Sequence, residues 1–307
     1  MRIAVVDIGS NSTRLLIADV TDGRVQAELE RRSTVTRLGA GVDVDGRLRE
    51  DAMERVFSAL DEYKTEIDRR GCERGVAVLT SAVRDSANGV QFAEAVRDRY
   101  GLEPHVLTGD EEARLTFLGA TSERDPDDTT PTLVFDIGGG STEMVLGAGH
   151  EVSFHVSTQA GVVRQTERHL HDDPPRESEC QELADDVRRI LDDAVPAEQR
   201  DHVSRGIAVA GTATSLAAIA QDLEPYDPER VHGYELTAEE CERILARLSR
   251  LTLAQRREVA GLHPDRAPTI IAGVLIFEQV LALFGIDRVE VSEHDILRGA
   301  ALGMLQN

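Results

Sequence analysis

The stretch TLVFDIGGGSTEMVLG, Thr132–Gly147, is two apolar runs joined by a turn that carries three consecutive glycines. Glycine weakens any strand or helix it interrupts. A run of three, with Asp136 before it and Ser141 and Thr142 after it, therefore needs another reason. Bare glycines expose backbone N–H groups that can converge on an anion without side-chain interference. The same arrangement occurs near the start of the chain. Asp7-Ile8-Gly9, followed by Ser10, Asn11, Ser12 and Thr13, also separates two short apolar runs. The two copies lie 129 residues apart (136 − 7). That offset is too long for a solenoid repeat and suits two copies of one domain, each opening with the same hairpin.

Working outward, strands and helices alternate. After the first hairpin come an alternating stretch at Val25–Thr36, a glycine-rich loop RLGAGVDVDGRL and a helix marked by Met53, Val56, Phe57, Leu60 and Ile67. Strand-to-helix transitions follow at TSAVRDSAN and at LTGDEEARLTFLGA. The acidic, proline-bearing SERDPDDTTP, Ser122–Pro131, reads as a linker. Beyond the second hairpin come a strand near Glu151–Val156, a helix near Arg176–Ala194, and the strand–turn–helix RGIAVAGTATSLAAIA. Helices centred near Cys241, Gln255 and Phe277, a strand at Arg288–Val291 and a helix from Asp295 complete the chain. The alternation predicts an α/β fold.

Composition narrows the function. The 307 residues are enough for two domains. The net charge of −22 disfavours nucleic acid and anionic membranes as partners. No apolar run is long enough to span a membrane. The N-terminus enters a strand at once, without a signal or transit segment, and a cytoplasmic location is expected. Cys72, Cys180 and Cys241 are widely spaced and odd in number, which suggests a reducing cytoplasm and predicts neither a disulfide framework nor a zinc site. Of the 34 basic residues only Lys64 is lysine, and no P-loop or dinucleotide fingerprint is present.

The chemistry-bearing positions each carry a plain alternative. Gly9, Ser10, Asn11 and Ser12 in one turn, and Gly138, Gly139, Gly140, Ser141 and Thr142 in the other, are phosphate donors or ordinary hairpin turns. Asp7 and Asp136 suit a hard cation such as Mg²⁺. Asp110, Glu111 and Glu112 open a helix. They are either dipole complement and capping box, with Thr108 pairing Glu111, or they include a general base for phosphoanhydride hydrolysis. Arg84 is a phosphate-gripping guanidinium or a solvated arginine, and Arg14 and Arg164 are weaker candidates of the same kind. AGTATS, Ala210–Ser215, is an anion-binding helix start or a plain N-cap by Thr212 or Thr214. His169 and His171 read as solvated, and His294-Asp295 as a helix N-terminus.

VVDIGSNSTRLLIADV, RLGAGVD, TSAVRDSAN, LTGDEEARLTFLGA, LVFDIGGGSTEMVLG, AGTATSLAAIA and VSEHDILRGAALGML occur in this order over nearly the whole chain. Together they resemble the exopolyphosphatase/guanosine pentaphosphate phosphohydrolase (Ppx/GppA) family in its short, two-domain form. Longer members carry a further HD-like helical domain. The resemblance implies two ribonuclease-H-like domains of the actin/Hsp70/sugar-kinase superfamily with an inter-domain cleft. These are expected at 1–125 plus a C-terminal helix at 295–307, and at 126–294. It implies that Glu112 is catalytic, that Arg84 and the two turns bind phosphate, and that Asp136 and Glu143, with Asp7, are the metal-associated acids. It further implies Mg²⁺ or Mn²⁺, alongside a monovalent cation such as K⁺, and a homodimer. The expected reaction is release of orthophosphate from inorganic polyphosphate. The alternatives are 5′-phosphate hydrolysis of guanosine pentaphosphate, a silent polyphosphate or alarmone (guanosine penta- or tetraphosphate) sensor, and a sugar or acid kinase. The EEAR helix disfavours the kinase.

Overall fold

The computed structural model describes residues 1–125, 127–149, 151–201 and 203–303. The chain divides into two compact units, Met1–Ser122 with the segment from Asp295 on, and Glu123–His294.

Unit 1 opens with β1 (Arg2–Ile8), β2 (Ser12–Thr21) and β3 (Arg24–Val35), an antiparallel meander. Within the glycine-rich loop, Val42–Asp45 forms one helical turn, α1, entered and left through Gly41 and Gly46 at positive φ. Helix α2 (Glu50–Arg70) has Glu50 and Asp51 in its first turn and Arg69 and Arg70 in its last, matching the helix dipole. It stops at Gly71, whose φ of 65° lets its N–H reach the carbonyls of Asp68 and Ile67. Then follow β4 (Arg74–Leu79), α3 (Ser81–Arg84), α4 (Gly89–Tyr100), β5 (Glu103–Val106) and α5 (Gly109–Thr121). The sheet order is β3-β2-β1-β4-β5, with β4 and β5 parallel to the central β1.

Unit 2 repeats that plan. β6 (Thr132–Ile137), β7 (Thr142–Ala148) and β8 (Glu151–Thr158) form an antiparallel meander. Helices α6 (Val162–His169) and α7 (Glu177–Ala194) precede β9 (Arg205–Val209) and α8 (Ala210–Ala220). A short α9 (Pro228–Val231) and the edge strand β10 (Tyr234–Thr237) lead into α10 (Ala238–Leu248), α11 (Leu253–Arg256), α12 (Ile270–Phe284) and β11 (Arg288–Ser292). The sheet order is β10-β11-β9-β6-β7-β8, with β9 and β11 parallel to β6. A meander followed by parallel strands added beside its first strand is the ribonuclease-H-like topology, here present twice. β10 is an addition that the sequence reading did not contain.

The chain then returns to unit 1 as α13 (Ile296–Gly303). It crosses α5 at closest approach through glycines. A Cβ on Gly119 would overlap the Asp295 carbonyl, and one on Gly299 would overlap the Leu115 carbonyl. Ile296, Leu297, Ala300 and Ala301 pack with Leu115 against Ile3, Val5, Leu16 and Val78 on one face of the first sheet. α13 thereby fixes the helix that carries Glu112.

Helix α12 is apolar around most of its circumference, as a central helix must be, and is buried in the core of unit 2. Its one ionisable residue is Glu278, whose Oε1 is buried and meets no partner among the described residues. Burial, and secondarily the charge of Glu242, pushes its carboxyl up to about 7. The folded protein thus holds a proton there that the unfolded chain releases at ordinary carboxylate pH. Stability falls as pH rises from about 4.5 to 7 and stays lowered above. Allowing for partial solvent screening, the deficit is about 2 kcal/mol. Glu278→Gln is expected to raise the thermal midpoint by several degrees at pH 9 and to leave it nearly unchanged at pH 4.5. Equal shifts at both pH values would refute the charge argument.

Candidate active site

In each unit the chemistry-bearing segments leave the C-terminal ends of parallel strands, where successive strand-to-helix turns cluster. In unit 1 these are the loop after β1, Thr80–Arg84 after β4 and Leu107–Glu112 after β5. In unit 2 they are the loop after β6, the start of α8 after β9 and Glu293–His294 after β11.

The two hairpin loops are built alike. Ile8 pairs with Thr13 and Ile137 with Thr142, so four residues remain between the strands in each. Gly9 N–H donates to the Ser12 carbonyl at 3.0 Å, and Gly138 N–H to the Ser141 carbonyl at 2.9 Å. In both, the carbonyls of the loop are taken up from behind. The Ser10 carbonyl accepts from Gly39 N–H, and that of Asn11 from Thr36 and Arg37 N–H. In the second loop the Gly138 carbonyl accepts from Val162 N–H. The Gly139 carbonyl accepts from Val163 and Arg164 N–H, and that of Gly140 from Arg164 Nε at 3.1 Å. The N–H groups of Ser10, Asn11, Gly139, Gly140 and Ser141 meet no acceptor among the described residues. Within each loop, neighbouring donors left over by the fold in this way suit an anion.

The glycines of the second loop serve different ends. A Cβ on Gly138 would sit 3.3 Å from the Ser141 carbonyl, tight against the turn itself. One on Gly140 would find only Arg164 Nη2, at 3.9 Å. Gly140 also lacks a positive φ, so the fold itself does not require glycine there. Gly161, at the start of α6, is different. Its Cβ would overlap the backbone of Gly139, Gly140 and Ser141. Thr142 corrects the sequence reading. Its side chain is fully buried and its hydroxyl donates to the Ala160 carbonyl at 2.6 Å, so it braces the loop and offers no hydroxyl to phosphate.

The acidic turn of α5 divides its work. Thr108 and Glu111 form a reciprocal capping box, and those hydrogen bonds, led by the Thr108 backbone N–H, hold the Glu111 carboxyl below its usual range. Glu112 is outside the cap. Its Oε2 lies 3.4 Å from Arg84 Nη1, which also donates to the Leu107 carbonyl at 2.9 Å. The structure thus brings Arg84 and Glu112 together in unit 1, both partly exposed. Ser10 Oγ is 3.0 Å from Ser81 Oγ, which ties the first loop to the same turn after β4.

Asp7 is buried. Its Oδ2 accepts from Arg14 Nε at 2.8 Å and Nη2 at 2.6 Å, and Arg14 Nη1 donates to Asp295. Arg14 is thus engaged within the fold. Burial pushes the Asp7 carboxyl up, against the pull of Arg14, while for Asp295 the opposing burial is outweighed by Arg14 and Arg31, which hold it down. Asp7 Oδ1 is buried with no partner among the described residues, an acceptor open to a cation or its water. Asp136 and Glu143 are cross-strand partners at the end of the second hairpin, and Ser157 Oγ donates to Glu143 at 2.8 Å. These carboxylates are hard oxygen donors of the kind Mg²⁺ takes.

At AGTATS neither threonine caps the helix. Thr212 Oγ1 donates to the Ile137 carbonyl at 2.8 Å, binding the start of α8 to the end of β6, and Thr214 turns back to Gly211. His169 is only partly exposed and pairs with Asp186 at 3.1 Å, contrary to a solvated reading. Sequence reasoning also missed a group formed by Glu123, His232 and His294, whose members are too far apart along the chain to show any spacing. All three cysteines are free thiols, and among the described residues no helix is long and apolar enough to cross a membrane.

Comparison with known proteins bears on the family and the fold. The exopolyphosphatase 2 of Mycobacterium tuberculosis is 39% identical, covering 99% of this chain and 98% of that protein. The crystal structure of the Aquifex aeolicus Ppx/GppA family member superposes with a TM-score of 0.85 at 34% identity, over 100% of this chain and 98% of that one. An exopolyphosphatase structure from Cytophaga hutchinsonii gives 0.86 at 28% identity, over 100% and 98%. Residues 16–307 match the Ppx/GppA phosphatase family, and the chain belongs to that family.

Proposed function

We propose that the protein is an exopolyphosphatase that hydrolyses the terminal phosphoanhydride of inorganic polyphosphate and releases orthophosphate. The observation that carries this reading is the Arg84–Glu112 pair beside the first amide-bearing loop. In-line attack by water on a phosphoryl group needs donors on its oxygens and a carboxylate to orient and deprotonate the water. Arg84 supplies a planar guanidinium for phosphate oxygens. On unit 1 the N–H groups of Ser10 and Asn11 and the hydroxyls of Ser10 and Ser12 supply further neutral donors, and on unit 2 the N–H groups of Gly139, Gly140 and Ser141 and the Ser141 hydroxyl offer the same. Glu112 is the general base. Because these donors are local, the site need not share the sign of the net charge of −22.

Asp136 and Glu143 are the residues of unit 2 that would hold Mg²⁺ or Mn²⁺, and Oδ1 of Asp7 is an acceptor of the same kind on unit 1. When bound, a divalent ion neutralises charge on the phosphate oxygens. The relatives named exopolyphosphatase support the choice of substrate.

Hydrolysis of the 5′-terminal phosphate of guanosine pentaphosphate needs the same cradle and base. Phosphate release by the purified chain from short polyphosphate and from guanosine pentaphosphate, compared as kcat/KM, separates them. The proposal expects polyphosphate to exceed the nucleotide by about tenfold or more, a difference of about 1.4 kcal/mol in transition-state binding. The reverse order would assign the nucleotide activity. Binding without turnover of either would make the protein a sensor.

A further inference from the structure

We infer that unit 2 carries a second metal site, built from His232, His294 and Glu123 and suited to a zinc-class divalent ion. The three come from separate segments: the turn between α9 and β10, the end of β11, and the first residue of the unit. One ligand atom from each lies within 4.8 Å of the others. His232 Nε2 is 3.4 Å from Glu123 Oε2, His294 Nδ1 is 3.9 Å from Glu123 Oε1, and the two imidazole rings are 4.2 Å apart between centroids. Ligand atoms about 2.0–2.2 Å from one tetrahedral ion stand roughly 3.3–3.5 Å apart, so the group needs to close by about 1 Å. Glu123 has a side chain 55% exposed, so the closing falls to it, while His294 at 10% is held in place.

The donor set decides the class of ion. Two imidazoles and one carboxylate select Zn²⁺ and its neighbours over Mg²⁺, which prefers oxygen and water. A nitrogen ligated through Nε2 must carry its proton on Nδ1. In the structure His232 Nδ1 accepts from Glu293 N–H at 3.3 Å, so ligation through Nε2 requires that contact to give way and the Nδ1 proton to turn to Ser292 Oγ, 3.5 Å away.

The site is separate from the acidic pair of the second hairpin. Asp136 is in register with Val209, and Val209 with Ser292, so Ser292 stands two strand spacings, about 10 Å, from Asp136 on the same sheet. Glu123 and His294 are the first and last residues of unit 2. An ion here would fasten the segment by which the chain enters the unit to the segment by which it leaves.

The test uses untagged, metal-free full-length chain with Mg²⁺ in excess, titrated with Co²⁺ as a spectroscopic probe and with Zn²⁺ as competitor. One equivalent of Co²⁺ is expected to give visible d–d absorption of low-symmetry N/O coordination, displaced by Zn²⁺, with a rise in thermal midpoint. His232→Ala is expected to abolish the band, and Glu123→Ala to weaken binding roughly tenfold or more. Both side chains are at least partly exposed, so circular dichroism should stay unchanged in both variants. Asp136→Asn should leave the band intact. Absence of the band in the wild type, its persistence in His232→Ala, or its loss in Asp136→Asn would each overturn the assignment.

Discussion

Glu112→Gln is expected to lower kcat for phosphate release by about 10²–10⁴-fold, the usual range for loss of a general base, while the thermal midpoint stays within a degree or two. The substitution keeps size, shape and helix propensity and removes only the charge and the basic oxygen. It spares the start of α5 because the capping box belongs to Thr108 and Glu111. The neighbouring carboxylate gives the reciprocal control. Glu111→Ala should cost about 1 kcal/mol of stability through the lost cap and leave kcat within a fewfold of wild type. Near-normal turnover in Glu112→Gln, or a collapse of turnover in Glu111→Ala without unfolding, would remove Glu112 from the reaction. Neither residue can be told from its neighbour by helix-dipole arguments, which treat every acid in a first turn alike.

A pair of glycine substitutions separates ligand binding from folding at the second loop. Gly140→Ala is expected to raise KM roughly 10- to 100-fold, the equivalent of losing a hydrogen bond to a charged group. Its thermal midpoint should be unchanged or slightly raised, because the added methyl meets only Arg164 Nη2 at 3.9 Å and the residue has no positive φ. Gly161→Ala, beyond β7 and β8 at the start of α6, should do the opposite. Its methyl has no room against the backbone of Gly139–Ser141, so either α6 or the loop must move, at a cost of about 3 kcal/mol. Thermal melts and substrate-saturation curves on both variants check this. If Gly140→Ala lost stability with KM intact, the triple glycine would be a packing feature and the anion reading of the loop would fall.

The second loop also shows where local sequence stops being informative. Asp136-Ile137-Gly138 repeated after Asp7-Ile8-Gly9 announces a duplicated hairpin, and the structure has four-residue turns closed by the same hydrogen bond in both. That Thr142 faces inward is not legible, because a threonine at a hairpin mouth alternates with either face and the register is set by pairing with β6 and β8. The same limit applied at AGTATS. The local motif allowed a threonine cap, yet Thr212 is spent on a carbonyl 75 residues away.

By itself the sequence determined the α/β class, the duplicated opening, the order of nearly all the strands and helices, and the family. These follow from periodicity, from glycine and capping residues, and from motifs that are contiguous along the chain. Tertiary structure alone decided which acid of α5 stands beside Arg84, that Arg14 turns inward to Asp7 and Asp295, and that Gly119 and Gly299 let α13 lie on α5. It alone placed His232 and His294 with Glu123, and left the buried Oε1 of Glu278 without a partner among the described residues. Each of these depends on groups far apart in the chain, whose distances are fixed by strand register and helix crossing and leave no trace in local spacing.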